Sequence, residues 1–97
     1  MTVATFKDSL TKNVLPETSV YLEALWYDAK GDWKTAHELI GDLEDKNACW
    51  LHAYLHRKEG DLWNADYWYS KSGRKRPAVS LTEEWEQLAI AFLQESK

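Results

Sequence analysis

The sequence predicts an all-α domain: two stacked αα-hairpins with a capping helix after them and a short helix before them. Three observations carry this. Gly-Asp occurs twice, at Gly31-Asp32 and Gly60-Asp61, 29 residues apart, each time between stretches of helical periodicity. Ser80 and Glu83 form an S-x-x-E capping box in front of a further apolar stripe. No alternating apolar pattern or hairpin turn signal competes with these.

Each element follows from its punctuation. Phe6 and Leu10, at i,i+4, have the spacing of a short helix within the first fifteen residues. Pro16 suits a first helical position, and apolar and aromatic residues recur from there to Lys30. Gly31 takes the left-handed cap and Asp32 accepts from the free N–H groups of the next helix. A second helix runs from Trp33 to about Glu44, and a third begins near Asp45 or Asn47 and runs to Glu59. Gly60-Asp61 repeats the stop, and a fourth helix covers Leu62 to about Ser72. Gly73 to Val79 is a loop. The last helix, about Leu81 to Gln94, places Leu81, Trp85, Leu88, Ala89 and Phe92 on one stripe, with Glu83, Glu84, Glu86 and Gln87 outside it. Residues 1–97 thus read as one domain: hairpin 1 at about 16–45, hairpin 2 at about 46–76 and the capping helix at about 80–95.

Shifting the chain by 29 residues tests the repeat. Leu22 falls on Leu51, Ala24 on Ala53, Ala36 on Ala65 and Tyr21 on Trp50. The paired alanines let two helices of a hairpin approach closely. Such units do not bury their apolar face alone, so they stack and need an end cap.

Composition narrows the function classes. With 44% hydrophobic and 29% charged residues the chain is globular rather than disordered. A net charge of -4 argues against a nucleic-acid binder, which needs Lys and Arg in excess. The one basic run, Arg74-Lys75-Arg76, reads as a solvated loop; with Tyr67 or Trp68 stacking it is the remote nucleic-acid reading. The single cysteine, Cys49, makes no internal disulfide, and no stretch is long and apolar enough to span a bilayer. A cytoplasmic protein without a membrane segment or a cofactor is expected.

Ala53-Tyr54-Leu55 leading to Gly60-Asp61, then Ala65-Asp66-Tyr67-Trp68-Tyr69-Ser70-Lys71-Ser72-Gly73, resembles the tetratricopeptide repeat superfamily. The A-x-x-W-Y-x-K segment is most similar to its Sel1-like branch, and Pro77 falls where such a unit often closes. The resemblance spans Pro16 to Pro77. Hairpin 1 lacks W-Y-x-K and has His37-Glu38-Leu39-Ile40 instead, and the repeat is shorter than a standard unit. It implies a right-handed superhelix of hairpins whose concave face binds a peptide or protein segment.

Two residue sets stand out. Trp33, Ala36 and Ile40, and likewise Leu62, Ala65 and Tyr69, should face their hairpin cores. Trp63 and Tyr67 then lie on another side of the fourth helix, and Trp26 is a similar surplus in hairpin 1. Neighbouring elements cover these aromatics, or they form an exposed patch marking an interface. With Arg57 and Lys71 around them, Trp26, Trp63 and Tyr67 are the candidate surface for a protein or peptide partner, or for a second copy of the chain. The other set is on the third helix, where Cys49, His52, His56 and Glu59 fall within an arc of about 80°. His52 and His56 at i,i+4 suit two ligands of a zinc-type ion or a small-ligand site. There is no H-E-x-x-H glutamate or second Cys, and a fourth ligand such as His37 must come from another helix. No catalytic residue is assigned: no nucleophile elbow or phosphate loop occurs, and Asp32 and Asp61 already have capping roles.

Overall fold

The computed structural model describes residues 1–95, and among these the chain is all-helical: α1 (Val3–Lys12), α2 (Val20–Ala29), α3 (Trp33–Ile40), α4 (Lys46–Glu59), α5 (Leu62–Lys71) and α6 (Leu81–Glu95). Among the described residues no helix is long and apolar enough to cross a membrane. α2 pairs with α3 and α4 with α5, while α6 lies across α2 and α4 and receives α1 on its other flank.

The stops work as the Gly-Asp pairs predict. Gly31 and Gly60 hold φ of 83° and 90°, open to glycine at little steric cost. The next amide closes the same bond in both: Asp32 N–H donates to the Tyr27 carbonyl and Asp61 N–H to that of His56. Asp32 then accepts from Thr35 N–H and Asp61 from Asn64 N–H, each at 3.2 Å, so one dipeptide ends one helix and starts the next. Asp45 caps α4 through Ala48 N–H, and Ser80 accepts from Glu83 N–H at 3.1 Å to open α6.

Two boundaries differ from expectation. α2 begins at Val20 rather than Pro16, because Ser19 offers an acceptor to Leu22 N–H and Pro16 offers none. α3 ends at Ile40 rather than near Glu44, since Gly41 is the weakest helix former after proline and Leu43 N–H turns back onto the Ile40 carbonyl.

Ala24, Ala53, Ala36 and Ala65 are all fully buried, so the repeated small residues sit where the hairpin helices approach most closely. Leu22, Leu25, Leu51, Leu55, Ile40 and Leu88 fill the space around them. Each buried Leu contributes roughly 1.5–3 kcal/mol of transfer free energy. Leu62 is a correction: it is 45% exposed and leaves the hairpin 2 core to Ala65 and Tyr69. As the first residue of α5 it lies beyond the end of the packed seam.

Trp26 is a correction too. It is 6% exposed, its Nε1–H donates to Ser9 Oγ at 3.2 Å, and α1 covers it. α1 is seated by Phe6, which stacks on Trp85 of α6 with centroids 5.8 Å apart.

Glu84, expected outside the α6 stripe, is fully buried. Its carboxylate accepts from Tyr69 OH (2.7 Å), Trp50 Nε1–H (3.2 Å) and Arg57 Nη1–H (2.8 Å), and Arg57 also donates to the Val79 carbonyl. Arg57 is therefore a structural cation and not part of an open binding face. Asp28 is the second buried carboxylate, accepting from Tyr54 OH and Lys58 Nζ, each at 2.9 Å.

Candidate functional site

α4 carries His52 and His56 one turn apart on the side flanked by α3 and α5, and α3 brings His37 to them. His52 is 4% exposed, His56 is buried and His37 is half-buried. His37 Nε2 and His52 Nε2 are 2.9 Å apart, and one nitrogen from each of the three rings lies within 4.8 Å of the others. His56 turns its Nδ1 to Glu59, 2.5 Å away, which leaves Nε2 for the cluster. His52 Nδ1 is buried with no partner among the described protein atoms.

Two tryptophans hold the rings. Trp33, at i,i+4 from His37, stacks on it at 4.9 Å and 10°, and is itself fixed by Nε1–H donation to the Leu55 carbonyl at 2.8 Å. Trp68 of α5 stacks on His52 at 3.9 Å and 14°. The Lys71 ammonium lies 4.7 Å over Trp68. Burial pushes the His52 pKa down to about 3, helped by His37, His56 and Lys71 nearby; burial and then His56 lower that of His37 as well. His52 is therefore neutral at physiological pH and a poor general base.

Of the sequence-derived set, His52, His56 and Glu59 come together, with Glu59 behind His56. Cys49 does not join them: its buried thiol donates to the Glu44 carbonyl at 3.5 Å, and burial raises its pKa. Asp61 comes near His56 and Glu59, but is engaged with Asn64. The sequence marks Trp33 as a hairpin-core residue and Trp68 as a remote stacking candidate, and neither as the wall of a histidine ring. The Trp33/His37 i,i+4 spacing was the one readable trace of that role.

The second candidate surface is the outer side of α5. Trp63 is 81% exposed and Tyr67 51%, and the Lys71 Nζ lies 5.5 Å over the Tyr67 ring. Trp63, Tyr67 and Lys71 thus remain at the surface, while Trp26 and Arg57 are withdrawn into the fold.

No family model, no curated protein and no solved structure matches this chain.

Proposed function

We propose that this chain is a non-enzymatic binding module that recognises a protein segment through the outer face of α5. The observation that carries this reading is the exposure of Trp63, with Tyr67 one turn on, on a helix whose inner side is committed to α4. An indole left in water forgoes the several kcal/mol that burying its 150–250 Å² would return, at about 25 cal/mol per Å². Trp63 and Tyr67 are rigid anchors with polar tips, and Lys71 beside them favours a segment that pairs an apolar side chain with a carboxylate. A tetratricopeptide-like stack is the scaffold that goes with this reading, and a cytoplasmic setting fits its lone buried thiol.

The test places a photo-crosslinking amino acid at the exposed Ser70 in the source cells, in the native chain and in a Trp63→Ala, Tyr67→Ala background. A discrete crosslinked protein, mapped to one segment and lost in the double variant while circular dichroism stays unchanged, supports the reading. Crosslinks that are absent, or the same in both backgrounds, overturn it. A crosslink to a second copy replaces the foreign segment with a homodimer.

A further inference from the structure

The imidazole cluster is not needed by the α5 surface, and its geometry asks for its own explanation. Packing alone does not supply one. A seam filled for stability would use apolar side chains, whereas a buried polar atom left without a partner is destabilising. Here three histidines gather on the α3–α4–α5 side with one nitrogen of each ring within 4.8 Å of the others. The His52 nitrogen that faces His37 is Nε2, and its Nδ1, on the other edge of the ring, has no partner among the described protein atoms.

The distances suit a different occupant. Three nitrogens bound at about 2.0–2.1 Å to a tetrahedral zinc-type ion sit about 3.3 Å apart. The His37–His52 pair at 2.9 Å needs to open by a few tenths of an ångström, and the His56 nitrogen, within 4.8 Å of the other two, has at most about 1.5 Å to close. His52 and His56 share one helix face, and His37 reaches them from another helix. The rings are also held in place beforehand. Glu59 fixes His56 through Nδ1, the usual carboxylate partner of a ligating imidazole, and Trp33 and Trp68 fix the planes of His37 and His52. The half-buried His37 leaves one side of the cluster toward solvent, where a fourth ligand is accessible.

We propose that His37, His52 and His56 form a three-histidine site for a divalent transition metal, zinc first among them, with Glu59 orienting His56 and the fourth coordination position open. Imidazole-only ligation favours zinc, copper, nickel and cobalt over magnesium and calcium, which prefer oxygen. The bound ion ties α3 to α4 through side chains, so it stabilises the folded state and raises the melting temperature with its concentration.

The experiment uses the full chain, stripped with chelator and dialysed. Cobalt(II) is added first, for the visible bands of a tetrahedral site, then zinc, by calorimetry and thermal melting. The expected result is one equivalent bound at micromolar affinity or tighter, and a Tm rise of roughly 10 °C at zinc a hundredfold above Kd. His37→Ala, at a half-buried position and with folding checked by circular dichroism, abolishes the bands and the Tm rise. Glu59→Gln keeps the stoichiometry and weakens affinity by about 10- to 100-fold, as loss of an orienting carboxylate does. Zinc binding no tighter than millimolar overturns the proposal, as does tight binding that His37→Ala leaves intact.

Discussion

The two flanks of α4 treat buried polar groups in opposite ways. Toward α2 and α6, Trp50, Tyr54 and Arg57 meet the carboxylates of Asp28 and Glu84, and each carboxylate has at least two donors. Toward α3 and α5, His52 and His56 meet a third imidazole, with a ring nitrogen to spare. The first flank spends its polar atoms on holding helices together. The second holds its rings just as firmly, with aromatic walls, and leaves the His52 Nδ1 unpaired among the described protein atoms. A buried polar atom without a partner asks for an explanation that a saturated one does not.

The largest test of the contrast falls on the saturated flank. Glu84→Gln strands the Arg57 guanidinium in the core and should cost about 3 kcal/mol or more in urea unfolding. A loss below about 1 kcal/mol would mean that the network is ornamental.

The phenols of that flank give a pH signature. Burial and the facing carboxylates, Asp28 for Tyr54 and Glu84 for Tyr69, hold both pKa values far above the ordinary 10.0. Above that pH the unfolded chain releases two protons that the folded chain keeps. Stability is therefore full below pH 10 and falls as pH rises, by about 1.4 kcal/mol per unit per phenol. Alkaline titration followed by phenolate absorbance should show these two tyrosines ionising only on unfolding, and Tyr54→Phe, Tyr69→Phe should remove that step.

On the unsaturated flank the expected effects shrink. In metal-free protein His52→Leu should change stability by no more than about 1 kcal/mol, because an apolar residue replaces a ring whose polar atoms are only half used. A loss above about 2 kcal/mol in chemical denaturation would show that His52 is a structural partner after all. Smallest of all, Trp63→Ser and Tyr67→Ser should each stay within about 0.5 kcal/mol, measured the same way.

The same contrast marks what the sequence could disclose. Gly31-Asp32 and Gly60-Asp61 were legible because a left-handed stop and a side-chain cap are written within four residues. His52 and His56 were legible as a pair because i,i+4 is local to one helix. Cys49 shares their arc but not their cluster. An arc gives direction around the axis and not height along it, and Cys49 lies seven residues, about 10 Å, below His56. Glu84 was misplaced because its donors Trp50, Arg57 and Tyr69 stand 34, 27 and 15 residues away. No pattern within α6 announces them. Trp26 was offered as a surface residue for the same reason: Ser9 and α1 reach it only through tertiary packing.

The seat of α1 on α6 sets an order of events. Phe6 and its stacking partner Trp85 stand far apart in the chain, and Lys7 and Glu86 beside them pair across 79 positions. Closing so long a loop is slow compared with zipping a hairpin. α2 to α5 can therefore assemble from neighbours as they emerge, while α1 waits, its apolar stripe in water, until α6 arrives to receive it. The clasp between α1 and α6 is the contact that local assembly of the hairpins does not supply.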